Sequence, residues 1–389
     1  MLGESHRPWV GTVLQEPVVH DAVDEALAAI RGGADVVQVE VPSGRELMVC
    51  LGAAGVAVKP RQARSDRVAA SRLGVDLAPA GSQRGLAVLR AAVDAAAAER
   101  AGYVRVATSS PALSAPEAAV VVASERIDIV DSDPMEEIVS VGVDPDRALA
   151  DHHFARQLHR RAGAAIVIGP GPLVVGPDLA SGVPSNPATR AGRGLALQLL
   201  SARLAAADGL PPDRVILEAL PAWLLGEREP FALAAAEVCL RRSLLPENPL
   251  AFREPAGSPR EGSWPFLLGA LLPDSPMAAL VLRNAGQPEF APIAEATRAA
   301  AAVAAELAGA RDPGRLKGRA LEHALATLAS AAQTLERLAA HGWDAVLGGA
   351  PGTAGVTTGW VGRGADSVTR RTDAFDPTAV AAASASSLA

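Results

Sequence analysis

Residues 127–168 read IDIVDSDPMEEIVSVGVDPDRALADHHFARQLHRRAGAAIVI, and this stretch decides the fold. A short β-branched run predicts a strand over Ile127–Asp131, and a second run predicts a strand over Ala164–Ile168. Between them, helical spacing of apolar residues predicts a helix over Pro145–Ala162. A strand, a helix and a strand in this order favour two parallel strands covered by the helix.

The same alternation continues on both sides of this unit. Further strands are predicted over Val10–Leu14, Asp35–Val41, Tyr103–Ala107, Arg214–Ala219, somewhere within Leu250–Leu272, and over Ala278–Arg283. Further helices are predicted over Asp21–Arg31, Gln83–Arg100, Ala115–Ser124, Thr189–Ala207, Phe231–Arg242, Pro292–Leu307 and Arg319–His341.

The number of units approaches eight, which favours a TIM-barrel-like (β/α)8 fold of the α/β class. We expect a long insertion after strand 2 and extra C-terminal helices. The alternative is an open doubly wound sheet, which usually carries a glycine fingerprint after its first strand, and none follows Val10–Leu14. We predict a barrel domain over residues 1–347 and a Gly/Ala/Ser-rich tail over residues 348–389.

Composition narrows the function classes. The chain has 389 residues and a net charge of −7, which argues against a nucleic-acid surface. Its two cysteines, Cys50 and Cys239, cannot form a disulfide framework or a cysteine-based zinc site. No long apolar run or secretory signal is present, so we predict no membrane span and a cytoplasmic location. Only Lys59 and Lys317 could form a Schiff base.

Candidate functional residues are those at predicted strand ends, where barrels place their chemistry. We predict catalytic roles for Glu40 and Glu218, because each carboxylate ends an otherwise apolar strand. Clustered carboxylates favour a positively charged or hydroxyl-rich ligand that compensates their charge. The predicted substrate-binding residues are Ser43, Thr108, Asp131, Asp133 and Glu136, and the predicted cofactor-binding residues are Ser109, Ser110, Gly169 and Gly171.

Each candidate also has a structural interpretation. Glu40 could form a salt bridge or a helix cap, and Thr108–Ser110 could form an ordinary turn. The acidic segment Asp131–Glu137 could hold a divalent cation, but capping of a helix by Asp133 with Glu137 in the first turn is favoured. Asp151-His152-His153 and His159 are expected on a solvated or partner-facing helix surface, and we predict no metal site.

Several stretches resemble the large (alpha) subunit of lysine 5,6-aminomutase. These are Ser114-Ala115-Pro116-Glu117, its continuation through Val122–Asp128, Ala162–Ile166, and Gly209-Leu210-Pro211 with the spacing through Arg214–Leu220. The resemblance implies a TIM barrel whose mouth faces adenosylcobalamin. It implies a small partner subunit that carries a Rossmann-like cobalamin domain and the lysine that holds pyridoxal phosphate. The implied reaction is a radical 1,2-shift of an amino group, so the implied class is an isomerase working as a hetero-oligomer.

The chain departs from the family pattern at the pyridoxal phosphate site. The family's ring-stacking tyrosine falls at Glu136, its arginine at Val141, and a substrate-contacting pair at Gly171-Pro172. A phosphate-binding serine falls near Pro111, beside Ser110. We therefore predict little or no pyridoxal phosphate binding. Two alternatives stay open: a barrel that docks a cobalamin-carrying partner as a binding or regulatory protein, or one that acts on another substrate without pyridoxal phosphate.

Overall fold

The structure is a computed structural model. It describes residues 9–14, 19–39, 83–100, 102–110, 114–141, 143, 145–170, 186–220, 223–224, 227, 229–253, 280–284 and 318–343. The predictions for Glu40, Ser43 and Gly171, for the insertion after strand 2, for the helix Pro292–Leu307 and for the tail 348–389 lie outside these residues.

Eight parallel strands form a closed barrel in sequential order, which confirms the TIM-barrel-like α/β prediction. The strands are β1 Trp9–Val13, β2 Val36–Val39, β3 Arg105–Ser109, β4 Ile129–Asp131, β5 Ala165–Ile168, β6 Val215–Glu218, β7 Leu250–Arg253 and β8 Leu280–Asn284. Closure is made by β1 and β8, which pair from Trp9 with Leu280 to Val13 with Asn284.

Helices follow the strands in the chain. They are α1 Val19–Arg31, α2 Gln83–Arg100, α3 Ala115–Ser124, α4 Pro145–Ala162, α5 Pro187–Ala207, α6 Pro230–Leu244 and α7 Arg319–His341. Local sequence explains where α5 begins: Asn186 caps the helix by accepting from the Ala188 amide, and Pro187 follows at the first helical position. No helix in the described part of the chain is both long and apolar enough to cross a bilayer.

The barrel interior is filled by alternate strand residues. One buried apolar cluster contains Val36, Ala107, Ile129, Val167 and Ile216 from five different strands. The intervening residues face the helices instead, as Val37, Val106 and Val130 show by packing with α1 and α2. This two-residue period fixes which side chains at the strand ends point into the barrel.

The amino-terminal end of the barrel is closed by charged and aromatic side chains. The Arg105 guanidinium lies 3.5 Å from the centroid of a Trp9 ring, in cation–π geometry. Asp35 accepts from Arg100 at 2.6 Å, and Asp128 pairs with Arg90 at 2.9 Å. These contacts stabilise the end of the barrel opposite the candidate site.

Candidate functional site

The carboxyl-terminal mouth of the barrel carries a polar layer directly above the apolar interior. Ser109 and Asp131 pair in register, two residues beyond the inward-facing Ala107 and Ile129. Glu218 likewise follows the inward-facing Ile216 by two residues and pairs with Ala251. The period of the strands therefore directs Ser109, Asp131 and Glu218 into the mouth.

Thr108 and Ser110 have the opposite phase and face outward. The Thr108 hydroxyl is buried and donates to the Val39 carbonyl oxygen at 3.0 Å, so it ties β3 to β2. The Ser110 amide donates to the Asp131 carbonyl oxygen at 2.8 Å. Its hydroxyl is buried and has no hydrogen-bond partner within the described part of the chain. Of these three adjacent hydroxyl residues, the strand phase directs only Ser109 toward the mouth.

Asp133 caps the short helical turn Pro134–Glu136 that follows β4, as the sequence favoured. Its Oδ1 accepts from the Met135 amide at 3.0 Å and from the Ser201 hydroxyl at 2.6 Å. Burial raises the pKa of Asp133, although these hydrogen bonds and one from the Gly169 amide act in the opposite direction. The carboxyl group thus anchors the segment after β4 to α5 and β5.

Glu136 and Gly169 meet beside Asp133 at the edge of the mouth. A Cβ atom placed on Gly169 would lie 3.4 Å from Glu136 Oε2 and 3.7 Å from Asp133 Oδ2. The exposed Glu136 side chain therefore passes directly over the backbone where β5 ends. The structure brings together three predicted site residues here, from two neighbouring strand ends.

A buried Ser132–His152–Glu137 triplet lies behind this edge, and sequence analysis missed it. The Ser132 hydroxyl lies 3.0 Å from His152 Nδ1, and His152 Nε2 lies 2.9 Å from Glu137 Oε1. All three side chains are buried. The prediction of a solvated helix surface is thus wrong for His152, and also for Asp151 and His159, which are buried too. Only His153 of that set is exposed.

A buried glutamine on α5 is the second feature that sequence analysis missed. Gln198 is 1% exposed, and its Nε2 donates to main-chain oxygens at the ends of β5 and β6. A signal for it was present, because Ala191, Leu195, Gln198 and Ala202 follow helical spacing along one buried stripe. A polar residue in such a stripe indicates a specific buried partner.

Metal binding finds no support in the part of the chain that the structure describes, where no group of three or more His, Cys, Asp or Glu side chains could hold an ion. The histidines described there lie on α1, α4 and α7. None of these six imidazole groups stands at a described strand end.

Comparison with known proteins shows what this barrel is similar to. Residues 71–258 match a family model described as the D-lysine 5,6-aminomutase TIM-barrel domain of the alpha subunit. The lysine 5,6-aminomutase alpha subunit of Fusobacterium nucleatum is 26% identical over 253 residues, which are 65% of this chain and 44% of that protein. The same subunit of Acetoanaerobium sticklandii is 22% identical over 253 residues, with the same two coverages.

The resemblance found in the sequence is therefore confirmed: the chain is similar, at low identity, to the lysine 5,6-aminomutase alpha subunit in its TIM-barrel domain. The chain spans less than half the length of these curated relatives, since the match covers 44% of each.

Solved structures give only distant likenesses. Dihydropteroate synthase from Anaplasma phagocytophilum has 14% identity and a TM-score of 0.45, covering 77% of this chain and 100% of its own. Ribulose-1,5-bisphosphate carboxylase/oxygenase from Pyrococcus horikoshii has 15% identity and a TM-score of 0.47, covering 87% and 66%. Both TM-scores lie below 0.5, so neither likeness carries an inference about this chain.

Proposed function

We propose that this chain is the barrel component of an aminomutase-like assembly and binds an amine-bearing ligand at its mouth. The observation that supports this most directly is the polar layer of Ser109, Asp131 and Glu218 above an apolar interior. The alpha-subunit relatives make an aminomutase the natural reaction class. A separate cobalamin-carrying subunit completes the assembly in this proposal.

The charge of the mouth determines the ligand class. Asp131 and Glu218 point inward from β4 and β6, and the exposed Glu136 lies at the rim. Neighbouring carboxylates at one cavity make its potential negative, which favours a cationic ligand over an anionic one. An ammonium group supplies that charge together with three hydrogen-bond donors, and Ser109 adds a hydroxyl for a neutral part of the ligand.

Pyridoxal phosphate does not fit the residues that the structure describes at the mouth. The resemblance places the family's ring-stacking tyrosine at Glu136, whose carboxylate lies over Gly169 next to the buried Asp133. Carboxylates at this edge would repel the phosphate group, and a carboxylate offers no stacking face. The proposed reaction therefore proceeds without pyridoxal phosphate.

Adenosylcobalamin is assigned to the partner subunit. The resemblance to the large subunit places the cobalamin-binding domain on a small partner, and the cofactor held there would supply the radical chemistry. The residues of this chain would then bind and orient the substrate amine and exclude water around it.

Isothermal titration calorimetry of the full chain tests the ligand class with three probes. Lysine and 6-aminohexanoate carry an amine, whereas adipate has a similar length and carries none. We expect both amines to bind and adipate to fail. Asp131→Asn and Glu218→Gln should each weaken amine binding by about 10- to 100-fold, the usual worth of a charge-assisted hydrogen bond. Glu40→Gln extends the series to the carboxylate predicted at the end of strand 2.

Asp213→Asn is the matched control, because Asp213 is exposed and precedes β6 at the opposite end from Glu218. Its amine affinity should equal that of the wild type. Adipate binding as tightly as lysine, or full affinity in both mouth variants, would contradict the proposal.

The second candidate function is a binding or regulatory barrel that docks a cobalamin-carrying partner without catalysing an amino shift. The replacement of the stacking aromatic by Glu136 favours it, because the family's cofactor site is altered there. Co-purification from the native host, followed by the ultraviolet–visible spectrum of the complex, separates the two. A cobalamin spectrum with turnover of an amine supports the enzyme, and a cobalamin spectrum without turnover supports the regulatory role.

A further inference from the structure

Gln198 cross-links the ends of two neighbouring strands beneath the mouth. Its Nε2 lies 3.1 Å from the Ile168 carbonyl oxygen and 2.8 Å from that of Gly169, both at the end of β5. The same nitrogen lies 3.0 Å from the Glu218 carbonyl oxygen at the end of β6. An amide nitrogen carries two hydrogens, so three oxygens share two donors at this point.

Arg241 of α6 fixes the orientation of that amide. Its Nε donates to Gln198 Oε1 at 2.8 Å, and both side chains are 1% exposed. A guanidinium only donates hydrogen bonds, so it can face only the amide oxygen. The amide nitrogen must then face the strand ends.

Glu237 and His323 extend the network to the C-terminal helix. Glu237 is 0% exposed and pairs with Arg241 at 2.7 Å through one carboxylate oxygen. Its other oxygen lies 2.9 Å from His323 Nε2 on α7. Burial alone would raise the pKa of Glu237, but the His323 hydrogen bond and the Arg241 charge lower it overall. The buried arginine charge is thereby compensated within the fold.

The network holds two peptide groups at the mouth from both sides. In the Ile168–Gly169 peptide group, the carbonyl oxygen accepts a hydrogen bond from Gln198 and the N–H donates one to Asp133. In the Glu218–Ala219 peptide group, the carbonyl oxygen accepts from Gln198 and the N–H donates to the Ala251 carbonyl oxygen at 2.8 Å. Because a peptide group is planar, two such anchors fix its orientation, and the direction of the Glu218 side chain follows from it.

We infer that Gln198, Arg241, Glu237 and His323 are positioning residues for the mouth, and that α7 is therefore part of the functional site. This helix lies outside residues 71–258, the segment that matches the family model. The functional role of the mouth in this inference rests on the proposed function, whereas the hydrogen bonds of the network do not depend on it.

Amide hydrogen exchange in Gln198→Glu tests the positioning role directly. Glutamate has nearly the same shape and keeps Arg241 as a partner, but it replaces both N–H donors by an oxygen that repels the carbonyls. We expect the Gly169 and Ala219 amides to exchange at least tenfold faster than in the wild type. The Ala165 and Leu217 amides, nearer the starts of the same strands and bonded to Asp128 and Pro249, should keep their wild-type rates.

A pair of variants at His323 tests the link to α7 and does not depend on whether Gln198→Glu folds. His323→Leu removes the donor to Glu237, whereas His323→Gln keeps an N–H donor of similar reach. His323→Leu should speed exchange at Gly169 and Ala219 and weaken lysine binding at least fivefold in calorimetry. His323→Gln should restore both properties.

Exchange that rises equally along β5 and β6, or that stays unchanged at Gly169 and Ala219, would overturn the inference. A glutamine variant that behaves like the leucine variant would also overturn it. Failure of the wild-type chain to bind lysine would instead count against the proposed function, and the exchange pattern would still decide the positioning role.

Discussion

His159 should make the stability of this protein fall in mild acid. Its side chain on α4 is 0% exposed, and neither ring nitrogen has a hydrogen-bond partner within the described residues. Burial, together with the nearby His152 and Arg156, lowers the pKa of His159 from 6.5 to about 3. The native state therefore keeps this imidazole neutral at pH values where the unfolded chain protonates it.

The size of the effect follows from proton linkage. Between pH 6.5 and pH 3 the unfolded state binds one more proton at His159, so the free energy of unfolding rises with pH in this window. The contribution is complete above pH 6.5 and decreases by about 1.4 kcal/mol for each pH unit below it. At pH 5 the loss is about 2 kcal/mol, a large share of the stability of an ordinary domain.

Urea denaturation of the wild type and His159→Leu at pH 8, 6 and 5 measures this loss. The variant also removes two unsatisfied buried nitrogens, so it should be at least as stable as the wild type at pH 8. Its advantage should grow by about 2 kcal/mol between pH 8 and pH 5. His20→Gln, at an exposed position on α1, should leave the pH dependence unchanged. Parallel stability curves for the wild type and His159→Leu would refute the reasoning.

Two further outcomes are expected. Gly192→Ala should destabilise the fold by about 1–3 kcal/mol in thermal unfolding, because its Cβ would lie 2.5 Å from Ser330 Cβ and 2.6 Å from the Thr327 carbonyl oxygen. As the control, Gln333→Ala at an exposed position on α7 should change the melting temperature little. Equal melting temperatures for Gly192→Ala and the wild type would contradict this prediction. The chain alone should bind neither cobalamin nor pyridoxal phosphate at micromolar concentration in equilibrium dialysis. Micromolar binding of either cofactor by the isolated chain would contradict this expectation.

The sequence predicted the barrel well because most of its helices and strands have clear local sequence patterns. The helices Gln83–Arg100, Ala115–Ser124 and Pro145–Ala162 have the bounds that were predicted. Strand β3 was predicted to end at Ala107 but continues to Ser109. Its last residues are polar, so hydrophobic periodicity could not reveal them. They stay in the strand because β2 and β4 pair with them.

The site was predicted less well, because side-chain partnership depends on tertiary contacts. Asp131 and Glu218 could be nominated, since a carboxylate that ends an apolar strand is a local signal. His152 was misread as solvated, although Ala148, His152 and Ala155 follow the spacing of a buried helix stripe. Its partners, Ser132 and Glu137, lie 20 and 15 positions away in the chain, and no local pattern pairs them.

Closure of the barrel between β1 and β8 makes the folding unit larger than the recognisable family segment. Trp9 pairs with Leu280, a residue 271 positions later in the chain. Residues 71–258 contain only β3 to β7, so a fragment cut to those limits would present two unpaired strand edges. Such edges favour association between chains, and the pairing of β1 with β8 must wait until residue 284 has been synthesised. Cooperativity in this protein is therefore set by its most distant strands, which lie outside the segment that matches the family model.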